Sequence, residues 1–159
     1  MKKSNIILSS LLVIVLLGLD LGLKYIVSSY LTTVNIIDNF FSLTYVLNDG
    51  AAFSLFASRT YLLILIAIIC LFFIIYELKN NLDDRVLSIG YSLVLAGLLG
   101  NFIDRLIDGY IVDYLSFKIL GYNYPIFNFA DILIVVWIII VIIKEILKER
   151  GKKDEVRSK

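Results

Sequence analysis

The sequence predicts an α-helical integral membrane protein: four transmembrane helices and a small β-rich layer on one side. Three observations carry the prediction. Of the 159 residues, 60% are apolar and 18% charged, against about 25% charged in ordinary soluble domains. Four stretches are long and apolar enough to cross a bilayer, which takes about 20 residues. Two long segments between them are rich in aromatic and β-branched residues. A soluble domain of this length could not bury so much apolar surface, so lipid is the expected solvent. The length suggests one membrane domain over residues 1–159.

The first span, 4–23, lies between Lys3 and Lys24 and contains Asp20. Its length and its acid read as a retained helix rather than a cleaved leader. The second span, 60–76, lies between Arg59 and Glu77 and carries no charge. The third, 86–103, is bounded by Arg85 and Asp104. The fourth, 126–143, follows Pro125, contains Asp131 and stops at Lys144. Cys70 in the second span and Trp137 in the fourth read as packing residues.

Four spans place both termini and the 77–85 loop on one side. That side holds eleven Lys and Arg: Lys2, Lys3, Lys79, Arg85, Lys144, Lys148, Arg150, Lys152, Lys153, Arg157 and Lys159. The other side holds four: Lys24, Arg59, Arg105 and Lys118. The positive-inside rule then predicts cytoplasmic termini. The mixed-charge tail, 144–159, reads as a solvated topology determinant, a helix that frays or loses order at its end.

The extracytoplasmic segments, 25–59 and 106–125, differ from the short polar inner turn. Ile36–Phe41 and Phe41–Val46 read as short strands joined by a turn at Asp38-Asn39. Tyr110–Phe117 is a third strand, and Gly121–Tyr124 a turn before Pro125. Their many Phe and Tyr residues also fit an interfacial aromatic belt.

Composition excludes several chemistries. With no histidine and one cysteine, the chain lacks Ser-His-Asp and Cys-His triads, His- or Cys-rich metal sites and an intrachain disulfide. The net charge of +1 argues against a nucleic-acid binder, which needs many cations to neutralise phosphates. No metal or cofactor is expected. Catalysis, if any, rests on Asp, Glu, Lys, Tyr, Ser or backbone groups.

An acid inside a span costs about 2.5–3.5 kcal/mol at the helix centre on insertion scales, so it marks a functional site or a buried pair. Asp20, Asp104, Asp113 and Asp131 all fall at one depth, the outer interface. In the third span Gly97, Asn101 and Asp104 share a helical face, with Arg105 beside it. Gly90, Ala96, Gly97 and Gly100 permit close helix approach. Asn128 and Asp131 share the first turn of the fourth helix, where Asn128 either caps the helix or bonds a substrate backbone. The plain readings are ion pairs, Asp20 with Lys24 at i, i+4 and Asp104 with a partner such as Arg105, and interhelical hydrogen bonds from Asn101 and Asn128.

Two carboxylates close together at a dry interface share a proton, because both cannot readily ionise. The ionised one can activate water and the protonated one can polarise a carbonyl. That is aspartic-protease chemistry. A proton- or ion-coupled transporter using Asp20, Asp104 and Asp131 is the competing class, and a structural membrane protein with buried ion pairs is a third. The residues alone do not choose between Asp104 and Asp113.

Three blocks do. Asn48-Asp49-Gly50-Ala51-Ala52-Phe53-Ser54 resembles the N-x-G-A-A-F-S stretch of the lipoprotein signal peptidases (signal peptidase II). Gly100-Asn101-Phe102-Ile103-Asp104-Arg105 with Ile111-Val112-Asp113-Tyr114 resembles that family's G-N-x-x-D-R and V-V-D-F blocks. Pro125-Ile126-Phe127-Asn128-Phe129-Ala130-Asp131 resembles its P-x-F-N-x-A-D block. Order and spacing agree over nearly the whole chain. The family's D-Q-x-[TS]-K block reads Asp20-Leu21-Gly22-Leu23-Lys24 here. It keeps the acid and the base but not the Gln or the hydroxyl. Leu47 replaces the basic or polar residue often found before N-x-G.

The resemblance implies a bacterial cytoplasmic-membrane aspartic endopeptidase. Asp113 and Asp131 would be the catalytic pair, and Asp20, Lys24, Asn48, Gly50, Asn101, Asp104, Arg105, Asn128 and Ala130 would bind substrate or support the pair. It implies a β-cradle and a short extracytoplasmic helix near Asn48–Phe53. The implied substrate is a prolipoprotein carrying diacylglycerol on its cysteine, cut just before that residue. Membrane lipid is the other expected partner, and nothing in the sequence demands more than a monomer.

Overall fold

The computed structural model describes residues 2–30, 32–50 and 55–157. The chain order is α1 (Lys2–Tyr30), β1 (Thr33–Ile37), β2 (Phe41–Asn48), α2 (Thr60–Asn80), α3 (Arg85–Ile107), β3 (Ile111–Ile119), β4 (Tyr122–Asn123) and α4 (Phe129–Arg157). Three of the described helices are long and apolar enough to cross a membrane: Lys3–Tyr30, Thr60–Asn80 and Arg85–Ile107.

Helix α3 is the hub, and α1, α2 and α4 all pack against it. Its buried positions are mostly small: Ser88, Gly90, Ser92, Ala96, Gly97 and Gly100. Without a hydrophobic drive between helices in lipid, small residues gain dispersion contacts by letting backbones come close. Gly90 receives the ring of Trp137, which also packs edge-on against Tyr91. Asp84 caps α3, accepting from Val86 N at 2.9 Å and Leu87 N at 3.0 Å.

Helix α1 does not end at Lys24. That lysine is buried among the helices, and no Gly or Pro interrupts the six residues after it. The extra turns bring Val27 beneath the sheet, where it is buried with Val112 and Tyr114.

The sheet is antiparallel in the order β1-β2-β3-β4. Its first strand lies earlier than the expected Ile36–Phe41, and Asp38, Asn39 and Phe40 form the turn, with Asn39 at φ 55°. The third strand runs two residues past Phe117. The turn expected over Gly121–Tyr124 falls instead at Leu120-Gly121, both at positive φ, and Tyr122–Asn123 form a strand. Two successive positive φ values match the right-handed twist of a tight hairpin.

Helix α4 starts at Phe129 rather than Ile126, because Phe127 pairs with Leu115 at the sheet edge. It continues through the mixed-charge tail to Arg157, where Lys, Glu and Arg are good helix formers. Residues 51–54 of the expected short helix lie outside the described residues, and Leu55–Ser58 form turns.

Two contacts gather one end of the bundle. Asn5 Nδ2 donates to Leu82 O at 2.6 Å, and Lys144 pairs with Asp84 at 2.7 Å. The sheet and the four acids of interest lie at the opposite end.

Candidate active site

Lys24 anchors the site. Its ammonium is 3% exposed and meets three acceptors: Asp20 Oδ2 at 2.8 Å, Asp104 Oδ2 at 2.9 Å and Asn101 Oδ1 at 2.9 Å. An ammonium has three N–H donors, so this buried cation is fully satisfied. The other oxygen of Asp20 accepts from Ala130 N at 3.0 Å, tying α1 to the start of α4. Gly100 leaves the space Asp20 occupies, and Gly97 faces the Ala130 carbonyl.

The network passes from Lys24 to two further carboxylates through amides. Asn101 Nδ2 donates to Asp131 Oδ1 at 2.9 Å. Asn128 and Asp131 form a reciprocal cap on α4: Asn128 N donates to Asp131 Oδ2 at 3.1 Å, and Asp131 N donates to Asn128 Oδ1 at 3.1 Å. This is capping-box geometry with Asp in place of Glu. Asn128 Nδ2 donates to Asp113 Oδ1 at 2.8 Å and to Asn101 Oδ1 at 3.1 Å. Asn48 Nδ2, on β2, donates to Asp113 Oδ2 at 2.7 Å, while its own Oδ1 accepts from Gly50 N at 3.0 Å. Every oxygen of Asp113 and Asp131 therefore has an amide donor, and one asparagine touches both residues.

Asp113 and Asp131 face one cavity of about 390 Å³. Asn48, Gly50, Asn101 and Arg105 complete its polar side, and Ile111, Ile126, Phe127, Ile134 and Val135 line an apolar side. Burial pushes the Asp113 carboxyl up to about 6. The Asn48 amide pulls against that rise, and the neighbouring charge of Asp131 adds to it. Asp113 thus takes up a proton far more readily than an exposed aspartate.

The chain matches the family described as signal peptidase (SPase) II over residues 12–147. It belongs to the signal peptidase II family. It is 41% identical over 143 residues to a lipoprotein signal peptidase of Enterococcus faecalis, covering 87% of this chain and 88% of that one. It is 37% identical over 147 residues to one from Fusobacterium nucleatum, covering 89% and 88%. A bacterial membrane enzyme solved by the in meso method at 2.3 Å resolution superposes with a TM-score of 0.81 at 32% identity, covering 91% of this chain and 90% of that one. The signal peptidase II family is one of peptidases.

Of the residues singled out from the sequence, Asn48, Gly50, Asn101, Arg105, Asp113 and Asp131 line the cavity. Asp20, Lys24, Asp104, Asn128 and Ala130 are buried and reach the cavity residues through hydrogen bonds. Asp104 does not pair with its neighbour Arg105. It turns inward to Lys24 and accepts from Val112 N at 3.3 Å, while Arg105 donates to the Gly50 carbonyl. Consecutive helix positions point about 100° apart, so the two residues serve different neighbours.

Two contributors escaped the sequence reading. The Tyr114 hydroxyl accepts from Phe129 N at 3.2 Å, and burial pushes its pKa up to about 12, keeping it protonated. Asp49 Oδ2 closes the loop after β2 by accepting from Ser58 N at 3.1 Å and Ser58 Oγ at 3.2 Å. The acid within Asn48-Asp49-Gly50 was the visible signal for this loop closure.

Proposed function

We propose that this chain is a membrane aspartic endopeptidase that removes the signal peptide from diacylglyceryl-modified prolipoproteins, cutting just before the lipidated cysteine. Asp113 and Asp131 are its catalytic pair. The observation that carries this reading is their meeting in one cavity through Asn128, in a chain 37–41% identical to lipoprotein signal peptidases. The transporter reading has no comparable support among the relatives.

One carboxyl of the pair is ionised and the other holds a proton. The ionised one takes a proton from water as its oxygen attacks the scissile carbonyl carbon. The protonated one gives its proton to the carbonyl oxygen. Collapse of the resulting gem-diol breaks the C–N bond: the proton first taken from water goes to the leaving amine, and the carboxylate that gave up its proton takes one back from a hydroxyl of the intermediate, restoring the pair. The amides of Asn48, Asn101 and Asn128 hold the carboxylates in place. The apolar wall suits the lipid-embedded part of the substrate.

In this reading the chain is one membrane domain of the bacterial cytoplasmic membrane. It has four spans and cytoplasmic termini, and works as a monomer. Cleavage of a diacylglyceryl-modified prolipoprotein in detergent tests the function. Asp113→Asn and Asp131→Asn should each lower turnover by at least about 10³-fold, by analogy with removal of a member of a catalytic triad. Full activity in either variant would remove that residue from the pair. Equal cleavage of the unlipidated precursor would remove the proposed substrate class.

A further inference from the structure

A second cavity of about 390 Å³ lies at the end of the bundle opposite the carboxylates. Helices α1 and α2 each pack on α3, and at this end the gap between them stays open, with Leu95 of α3 lining it. Val13 and Ile14 of α1 and Leu82 of the following turn add to an almost wholly apolar lining. Two features set it apart from an ordinary lipid-facing groove. Ser9 lines it, is 4% exposed, and its hydroxyl has no hydrogen-bond partner among the described residues. Lys79 stands at its edge, exposed and without an ion pair among the described residues.

We infer that this groove binds one anionic phospholipid of the leaflet on the terminus side. An acyl chain lies along Val13, Ile14 and Leu95. The ester carbonyl at the glycerol level accepts the Ser9 hydroxyl, removing a buried unpaired donor that would otherwise be unfavourable. The phosphate meets Lys79. Of the acids in this stretch, Asp84 is held by Lys144, Glu77 is bonded by Asn81 and Tyr91, and the exposed Asp83 forms no ion pair with Lys79. The volume falls within the range of about 300–1,000 Å³ typical of small-molecule sites. A basic residue at the headgroup level selects anionic over zwitterionic lipid.

Native mass spectrometry of the full chain, delipidated in detergent and titrated with phosphatidylglycerol or phosphatidylcholine of matched acyl chains, tests this site. Phosphatidylglycerol should bind about fivefold more tightly, the effect expected of one lysine near a headgroup. Lys79→Gln should abolish the preference. Ser9→Leu, which fills the groove, should weaken both lipids. Leu95→Trp fills the same gap from α3 and decides the matter if Ser9→Leu does not fold. Equal binding of the two lipids by the parent chain, a preference that survives Lys79→Gln, or unchanged binding in the folded groove-filling variant would each overturn the assignment. Neither Ser9 nor Lys79 touches the catalytic cavity, so prolipoprotein cleavage provides an independent check of folding.

Discussion

Gly100 abuts the buried carboxylate of Asp20 so closely that a β-carbon at position 100 would overlap its Oδ2. The carboxylate cannot retreat, since Lys24 and Ala130 N hold it from two sides. Gly100→Ala should therefore lower stability by about 1–3 kcal/mol, the usual range for overpacking. It should also displace the start of α4 and with it Asp131. Thermal unfolding in detergent, read beside prolipoprotein cleavage, checks both effects. A variant as stable and active as the parent would show that the two helices can part without consequence.

Lys24 is the only cation bonded to Asp20 and Asp104 among the described residues. Lys24→Met leaves two buried carboxylates without their counter-charge, a loss of about 3–5 kcal/mol when one partner of a buried pair is removed. Adding Asp20→Asn and Asp104→Asn to that variant should restore much of the stability, because the uncompensated charges go with their partner. Denaturation of the single and triple variants separates this account from simple loss of packing. If the triple variant is less stable than the single, charge is not the cause.

The Asp113 carboxyl titrates near 6 against 3.8 for an unperturbed aspartate. Because the folded protein holds this proton more firmly, its contribution favours folding at low pH. That contribution fades as pH rises through the window from 3.8 to about 6. Asp113→Asn should flatten the pH dependence of stability in that window. Asp131→Asn removes a charge that helps raise Asp113, so the Asp113 pKa should fall below about 6 yet stay above 3.8, since burial is the larger cause. Carboxyl ¹³C NMR titration measures it directly. A value unmoved by Asp131→Asn would mean that the two carboxylates do not feel each other.

Asp84 has two duties, capping α3 and pairing with Lys144. Asp84→Asn keeps a capping side chain and loses only a half-exposed ion pair, a change of about 0–1 kcal/mol. Asp84→Ala also loses the cap, for about 0.5–2 kcal/mol. The hydrogen bond from Lys144 holds the Asp84 carboxyl below its usual range. Its contribution is present above pH 3.8 and declines as pH falls through the lowered folded value. Unfolding of both variants at neutral and acid pH checks the order. Equal loss in Asp84→Asn and Asp84→Ala would assign the whole effect to the ion pair.

Much of the site was legible in the sequence because lipid makes polar residues conspicuous. Asp20, Asn101, Asp104 and Asp131 stood out in apolar runs, and Asn128 and Asp131 were already neighbours on a helical turn. The strand carrying Asp113 was visible in its aromatic and β-branched residues. What local pattern could not carry was pairing across the chain. Lys24 read as the boundary of a span, yet it lies buried against Asp104 and Asn101 from α3. Adjacency left open whether Asp104 and Arg105 pair with each other or elsewhere, and because adjacent helix positions diverge each serves a different partner. The start of α4 read as Ile126 because Pro125 precedes two apolar residues, Ile126 and Phe127, and only the bridge from Phe127 to Leu115 reveals that the sheet edge holds the chain extended there.

The bond from Ala130 N to Asp20 joins residues 110 positions apart, which gives the molecule a timetable during synthesis. At about 5–20 residues per second, α1 waits on the order of ten seconds in the membrane before the backbone donor that completes its acid emerges from the ribosome. Until then Asp20 has Lys24 for company but not Ala130. A chain interrupted before Phe129 never obtains that donor. The donor that completes the Asp20 carboxylate is therefore made late, followed by Lys144, the partner of Asp84 at the opposite end of the bundle.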